Sequence, residues 1–162
     1  MNKILITGST GFVGQKLCKK LISDNYLIRE AVRSSSKKRF DKREIFNVGG
    51  IDKSTNWSAS LKDIDCVIHC AARAHVMNEN KLETLAIYRK VNVDGTRNLA
   101  EQCAKAGVKR LIFLSSIKVN GEKTEESFSF RHDDNPKPKD AYGISKWEAE
   151  LALQQVSKKY GI

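Results

Sequence analysis

The sequence lacks several features that mark particular classes of protein. It has only two prolines among 162 residues, and no apolar stretch approaches the roughly 20 residues that a membrane-spanning helix needs. Its first apolar run starts at Ile4, which leaves no room ahead of it for a cleavable signal segment. We therefore expect a cytoplasmic protein that does not cross a membrane.

Cysteines are few and none forms a close CxxC pair. Cys66 and Cys70 lie in a strand-like apolar run, where cysteine acts as a small hydrophobic residue, and Cys18 and Cys103 fall in predicted helices. No His, Cys and Asp residues are grouped at the spacing of metal ligands. We predict reduced structural thiols and no bound metal.

Acidic residues are in short supply, with 19 Asp and Glu against 29 Lys and Arg, for a net charge of +10. Much of the excess lies in the segment Arg33–Arg43. Apart from Phe40 this segment has no aromatic residue for stacking on bases, and no nucleic-acid motif accompanies it. We therefore do not expect nucleic-acid binding. A solvated basic loop, or one that attracts a phosphorylated cofactor and substrate, fits better.

Short apolar runs alternate with helical patterns along the chain, which predicts a parallel sheet covered on both faces. This is the α/β doubly wound, Rossmann-like class, and we treat residues 1–162 as one dinucleotide-binding domain. Such domains usually carry further strands after the last predicted helix, so we expect the sheet to be incomplete at the C-terminus. The predicted strands are Ile4–Thr7, Leu27–Val32, Ile45–Val48, Cys66–Cys70 and Leu111–Ser115, and the predicted helices are Phe12–Ser23, Ser58–Leu61, Lys81–Ala106 and Ala141–Tyr160.

Three glycines, Gly8, Gly11 and Gly14, stand between the first predicted strand and the first predicted helix. Glycines allow a tight turn and a close approach of backbone to a pyrophosphate, and the helix end supplies unpaired N–H groups and a positive dipole. The alternative is a turn in which the glycines serve packing alone. The strand before them and the helix after them favour dinucleotide binding.

A second group of residues could carry acid–base chemistry. Tyr142 and Lys146 are four residues apart on a predicted helix, so they share one face, and a nearby ammonium would lower the pKa of the phenol. Ser115 and Ser116 end the fifth predicted strand, where open α/β sheets bind their ligands. A surface tyrosine beside a solvated lysine is the alternative reading.

The end of the second predicted strand bears on the choice of cofactor. NAD enzymes commonly place an acid there to bind the adenosine ribose, whereas a cation suits a 2′-phosphate. This chain offers Arg33, which can bind phosphate with two N–H groups. We therefore favour NADP(H), with NAD(H) as the alternative in which Arg33 stacks on adenine.

Taken together, these residues resemble the extended short-chain dehydrogenase/reductase family. The resemblance covers the whole chain and is greatest to the nucleotide-sugar branch of 4-epimerases and 4-ketohexose reductases, many of them labelled UDP-glucose 4-epimerase. The motifs that carry it are Thr7-Gly8-Ser9-Thr10-Gly11-Phe12-Val13-Gly14, His69-Cys70-Ala71-Ala72, Val91-Asn92-Val93-Asp94-Gly95-Thr96, Phe113-Leu114-Ser115-Ser116 and Tyr142-Gly143-Ile144-Ser145-Lys146.

The resemblance implies roles for individual residues. Tyr142 would be the acid–base, Lys146 its pKa partner and a ribose ligand, and Ser116 the catalytic hydroxyl. Asn92 would help to shape the active site. The implied cofactor contacts are Gly8, Gly11 and Gly14 at the pyrophosphate, the amides of Phe12 and Val13, Ile51 near adenine, and Ala71 and Ala72 along the ribose and nicotinamide.

The resemblance also implies hydride transfer at C4 of a UDP-hexose, with a possible homodimer formed through the two long helices. Related 4,6-dehydratases follow the catalytic hydroxyl with two acids, whereas this chain has Ile117 and Lys118, so dehydration is not expected. Asn120 and Gly50 also depart from the branch, at positions where relatives often carry Tyr and Asp. A dinucleotide-binding module without turnover is the alternative function, because the family's sugar-binding region follows the last helix.

Three histidines remain. We expect His69, at the end of a strand, to be a packed residue. The loop after it carries Arg73 and His75, which are candidates for contact with a substrate, and His132 has no predicted role.

Overall fold

The computed structural model describes residues 3–34, 43–74, 81–124 and 126–162, with no account of the side chains of 81–84. Within these ranges five parallel strands form one sheet in the order β3-β2-β1-β4-β5. The strands are β1 Lys3–Thr7, β2 Leu27–Val32, β3 Arg43–Asn47, β4 Cys66–His69 and β5 Arg110–Phe113. This confirms the predicted doubly wound class.

The described helices cover both faces of the sheet. They are α1 Phe12–Ser23, α2 Ser58–Leu61, α3 Lys81–Tyr88, α4 Gly95–Lys105 and α5 Ala141–Tyr160, with a π turn at Arg89–Asp94 and a 3₁₀ turn at Ile117–Val119. None of the described helices is long and apolar enough to span a bilayer.

Alternate residues of β1 supply two separate cores. Ile4 and Ile6 pack with Cys18 of α1 on one face, while Leu5 packs with Val67 and Leu99 on the other. Side chains of a strand alternate between its faces, so a run without polar residues is what a strand buried on both sides requires. All four cysteines are free thiols, as expected, and burial raises the pKa of Cys18 and Cys103 to about 12.

Most predicted elements are confirmed, but one helix is not continuous. The predicted helix Lys81–Ala106 is divided by the π turn and ends at Lys105, with Gly107 in the left-handed conformation at φ +75°. The Gly107 and Val108 amides close the end of α4 on the carbonyls of Ala104 and Cys103. The predicted third strand begins earlier than expected, and the fourth and fifth end sooner.

The strand order locates the ligand-binding edge. From β1 the sheet runs one way to β2 and β3 and the other way to β4 and β5. In such sheets the connections from the two central strands leave in opposite directions and open a crevice at the carboxyl ends. Here that crevice lies beyond Thr7 of β1 and His69 of β4.

Candidate functional site

The glycine turn at the end of β1 leaves no room for side chains at two of its positions. Gly8 has φ +69°, and a Cβ built on it would stand 2.7 Å from the amide nitrogen of Ala71. A Cβ on Gly14 would stand 2.1 Å from the carbonyl oxygen of Gly8. The chain therefore folds α1 tightly back on β1, which presents backbone rather than side chains to the crevice.

The amino end of α1 has no side chain that satisfies it. Its N-cap is Gly11, which provides no capping hydrogen bond, and its first turn holds no acidic residue. Phe12 is 87% and Val13 49% exposed, which is unusual for apolar side chains at the start of a helix. Unpaired amides and a positive dipole end at this edge fit a diphosphate, so the predicted residues are compatible with a dinucleotide.

A buried hydrogen-bonded chain fixes the loop that follows β4. The Ala71 amide donates to Thr7 Oγ1 at 3.1 Å, and Thr7 Oγ1 lies 2.6 Å from His69 Nδ1. His69 Nε2 lies 3.0 Å from Thr96 Oγ1. Thr7 Oγ1 thus accepts from Ala71 and shares a second hydrogen bond with His69, so both ring nitrogens of the histidine have a hydroxyl partner.

His69 is thus a packed residue, as predicted. It is 1% exposed, and burial, with a smaller effect of the Lys146 charge, lowers its pKa to about 3. It stays neutral and serves to align Thr7 and Thr96 rather than to transfer protons near neutral pH.

Asn92 joins this loop to α5. Its side-chain oxygen accepts from the Arg73 amide at 2.8 Å, and its amide nitrogen donates to the Arg73 carbonyl at 3.1 Å and to Ser145 Oγ at 2.9 Å. Asn92 is 2% exposed and lies in the π turn. The glycine turn, through Ala71, and the helix that carries Tyr142 and Lys146 are therefore linked by one continuous set of contacts.

Lys146 is buried at the end of β5. It is 1% exposed, its ammonium donates to the Leu114 carbonyl at 2.7 Å and lies 3.8 Å from the centre of the Phe113 ring. Burial lowers the pKa of Lys146 to about 8, against the opposing charges of Glu150 and Cys70. A buried cation with a perturbed pKa at the ligand-binding edge is typical of functional sites.

Ser116 and Tyr142 are brought together, but the expected pKa shift of the phenol is wrong for this state of the protein. Burial raises the pKa of Tyr142, and only the Ser116 hydroxyl lowers it. The Lys146 ammonium does not act on the phenol because it is committed to Leu114 and Phe113. The Tyr142 ring also contacts Tyr88 edge-on, with 6.0 Å between centroids.

Two carboxylates near Tyr142 and Lys146 were not predicted from the sequence. Asp140 caps α5 by accepting from the Gly143 amide at 2.6 Å, and an Asp just before a helix is the signal that could have found it. Glu150 accepts a short hydrogen bond from Ser115 and lies one turn beyond Lys146. The i, i+4 spacing of Lys146 and Glu150 was the available signal.

The remaining predicted residues lie farther out. Arg33 is exposed just past the end of β2. Ile51 is half-buried and follows β3, and its Cγ2 stands 2.5 Å from where a Cβ on Gly95 would be. His75 and most of the basic segment lie outside the described residues, whereas His132 is exposed beside Asp133. Among the residues described, no three His, Cys, Asp or Glu side chains cluster as metal ligands.

Comparison with known proteins gives consistent matches. A family model described as the NAD dependent epimerase/dehydratase family matches residues 4–162. A UDP-glucose 4-epimerase from Vibrio cholerae is 50% identical over 156 residues, which are 96% of this chain and 47% of that protein. The structure of MoeE5 in complex with UDP-glucose and NAD matches with a TM-score of 0.82 at 28% identity, over 96% of this chain and 49% of that one.

A UDP-glucuronic acid 4-epimerase from Bacillus cereus, solved in complex with NAD, matches with a TM-score of 0.81 at 27% identity. That match covers 99% of this chain and 53% of the other. The chain spans about half the length of the relatives it matches. Since the family model extends over nearly all of the sequence, the chain belongs to the NAD dependent epimerase/dehydratase family.

Proposed function

We propose that this chain provides the dinucleotide-binding and acid–base part of an enzyme that acts at C4 of a UDP-hexose, as a 4-epimerase or a 4-keto reductase. The observation that carries the proposal is the arrangement of one sheet edge. The uncapped glycine turn of α1 and the group Ser116, Tyr142 and Lys146 are tied together through Ala71, Asn92 and Ser145. The names of the Vibrio cholerae relative and of the neighbours that hold UDP-sugars support the substrate class.

The residues that would hold the dinucleotide are those that the family resemblance implies, and the tight glycine turn supports the first of them. Gly8, Gly11 and Gly14 would allow its diphosphate to reach the amides of Phe12 and Val13, and Ile51 would contact adenine through its backbone. Ala71 and Ala72 would lie along the ribose and nicotinamide. A bound nicotinamide would accept hydride from C4 of the sugar or return it.

The acid–base steps fall to residues of α5 and the β5 end. Burial keeps the Tyr142 phenol protonated near neutral pH, so it would donate a proton to a 4-keto oxygen. The Ser116 hydroxyl would donate a hydrogen bond to the same oxygen as charge develops on it. Lys146 gives one N–H to Leu114 and would bind a ribose hydroxyl with another.

Among reactions of this family, reduction or epimerisation fits better than dehydration. Elimination of water needs acids beside the catalytic hydroxyl. The two residues after Ser116 are Ile117, which is 62% exposed, and Lys118, whose ammonium is bound to carboxylates. For epimerisation, the deprotonated form of Tyr142 would take the proton of the 4-hydroxyl as C4 loses hydride, and the phenol would return that proton to O4 after the 4-keto sugar has turned and hydride has come back to the opposite face of C4. The positive charge of a bound oxidised nicotinamide would favour the phenolate in the first step.

The cofactor preference remains our prediction. The compared neighbours are solved with NAD, whereas Arg33 at the end of β2 favours NADP(H). Reversing its charge in Arg33→Asp should weaken NADPH binding roughly 10-fold or more while NADH is less affected, since a charged hydrogen bond contributes about 1.5–3 kcal/mol. Equal losses for both cofactors would mean that Arg33 does not contact a 2′-phosphate.

We also propose a homodimer through the helices α4 and α5. Within the chain, Arg89 of the π turn pairs with Glu148 of α5, and Arg97 Nη1 of α4 donates to Gln155 of α5 at 2.9 Å. A groove of about 340 Å³ on this face includes Leu151, which is 38% exposed. Analytical ultracentrifugation with Leu151→Glu would test it, because a charge in an apolar contact should yield monomers.

Calorimetric titration with and without a UDP-sugar tests the proposed function. The 162-residue chain should bind one of NAD⁺, NADH, NADP⁺ or NADPH. Conversion of UDP-glucose or of a 4-keto sugar nucleotide would then establish turnover. Binding without conversion would favour the alternative, a dinucleotide-binding module, and absence of binding by folded protein would refute both.

A further inference from the structure

One ammonium joins the turn that carries Ser116 to the helix that carries Tyr142. Lys118 Nζ lies 2.8 Å from Asp140 Oδ2 and 2.9 and 3.1 Å from the two carboxylate oxygens of Glu122. These two carboxylates raise the pKa of Lys118. Lys118 therefore keeps its charge throughout the range in which the enzyme would work.

The backbone of the same turn touches the first turn of α5. A Cβ on Gly143 would stand 2.7 Å from the Lys118 carbonyl oxygen, so only glycine permits this contact. The Gly143 amide donates to Asp140 Oδ1, while Asp140 Oδ2 accepts from Lys118. One carboxylate thus caps the helix and receives the lysine, on the residue that stands two before Tyr142.

We propose that Lys118 is a positioning residue: through Asp140 it holds the Ser116 turn against the start of α5 and balances the carboxylate charge beside the Tyr142 phenol. This rests on the proposed function, in which that phenol is the acid–base.

The groups that face the phenol define the expected effect. Besides burial, the charge of Asp140 and the neighbouring Tyr88 raise the pKa of Tyr142, whereas the Ser116 hydroxyl lowers it. Lys146 is on the same helix but is directed at the Leu114 carbonyl. If Lys118 is removed, the Asp140 charge acts on the phenol without its counterion, so the pKa of Tyr142 should rise.

If Lys118 had a purely structural role, its removal would lower the stability of the protein. Lys118 and Asp140 have side chains 41% and 42% exposed, and exposed ion pairs contribute little to stability. Removal of Lys118 should therefore leave the urea midpoint nearly unchanged. The informative readout is the titration of Tyr142 itself.

The experiment uses the whole chain with ¹³Cζ-labelled tyrosine, followed by NMR as pH rises. The chain has four tyrosines, and Tyr142→Phe identifies the resonance. We expect Lys118→Met to shift the Tyr142 titration to higher pH and Lys118→Arg to leave it in place. The exposed Lys123 is the matched control, because Lys123→Met removes the same charge and should have no effect.

A second variant completes the cycle and carries the test if Lys118→Met does not fold. Asp140→Asn keeps a helix cap but removes the charge, so the Tyr142 titration should shift to lower pH. Adding Lys118→Met to Asp140→Asn should then cause no upward shift. An upward shift in that double variant, or none in Lys118→Met alone, would overturn the proposal.

Failure of this proposal is distinguishable from failure of the proposed function. Dinucleotide binding by the wild type with no response of Tyr142 to Lys118 would leave the function intact and remove the positioning role. If the Tyr142 titrations change as expected but the protein binds no dinucleotide, the link between Lys118 and Tyr142 stands and the proposed function fails.

Discussion

The helices α1 and α5 both begin beside the carboxyl ends of the strands, yet their first turns are completed in opposite ways. The N-cap of α1 is Gly11, with no side-chain hydrogen bond, whereas Asp140 caps α5 and is itself held by Lys118. A helix end with unpaired amides attracts an anion, and one already satisfied does not. This difference supports our proposal that a diphosphate binds at α1, whereas α5 displays the side chains of Tyr142 and Lys146.

The largest expected effect comes from closing the space that the α1 turn depends on. In Gly14→Val the new side chain would meet the Gly8 carbonyl, which lies only 2.1 Å from the position of a Cβ. We expect a loss of about 4 kcal/mol or more in the free energy of unfolding, measured by urea titration, because the backbone must move. Gly50→Ala, with nothing within 4 Å, is the control and should be nearly neutral.

The second largest effect is expected from giving α1 an acidic N-cap like that of α5. Gly11 has φ −80° and ψ 172°, so Asp fits there once its Cβ has moved slightly from the Gly8 carbonyl at 3.3 Å. The carboxylate would occupy the amides and repel a diphosphate, so dinucleotide affinity in calorimetry should fall roughly 10- to 100-fold. Gly11→Ala separates the cost of the Cβ from that of the cap. Unchanged affinity in Gly11→Asp would mean that the anion binds elsewhere.

A smaller effect concerns the charge buried in α5. Burial lowers the pKa of Lys146 from 10.5 to about 8. Below pH 8 the buried charge therefore reduces the free energy of unfolding by about 3 kcal/mol. This loss disappears as the pH rises to 10.5, where the lysine is neutral in the folded state and loses its proton in the unfolded state as well. Lys146→Met also orphans the Leu114 carbonyl, at about 1–2 kcal/mol. The variant should be roughly 1 kcal/mol more stable than wild type at pH 7 and less stable above pH 10.5.

Urea unfolding at both pH values checks this reversal of sign. Lys158→Met is the matched control, because Lys158 is exposed on the same helix. If Lys146→Met were destabilising at both pH values, the buried lysine would contribute to stability. Its burial would then need no functional explanation.

The smallest expected effect is the loss of stability on removing the cap of α5. Asp140→Ala removes the acceptor of the Gly143 amide and should lower stability by about 1 kcal/mol. Asp140→Asn keeps an acceptor and should lie within about 0.5 kcal/mol of wild type. Equal losses in the two variants would show that the charge, not the cap, stabilises the helix.

The sequence predicted α1 and α5 to the residue because their ends carry local signals. A glycine turn precedes α1, and Gly161 ends α5 in the left-handed conformation at φ +75°. The break at Arg89–Asp94 had no such signal, since the helical pattern continues through it without proline. The π turn is understandable only from the contacts of Asn92, which depend on distant parts of the chain.

The candidate site was predictable in its residues but not in its electrostatics. The spacing of Tyr142 and Lys146 places both on one face of α5, yet spacing does not tell where a long side chain ends. The ammonium reaches back to Leu114, 32 positions away in sequence, and so cannot lower the pKa of the phenol as expected. Lys118 and Asp140 were missed as a pair for the same reason, because only the folded chain brings them together.

The most direct test of the difference between α1 and α5 is an amide NMR titration of the labelled chain with NAD⁺ and NADP⁺. We predict that the amides of Gly11, Phe12, Val13 and Gly14 shift most, and that the segment around Ser116 and the first turn of α5 respond at the same ligand concentrations. Shifts that leave the glycine turn unmoved, or no shifts at all in folded protein, would contradict it.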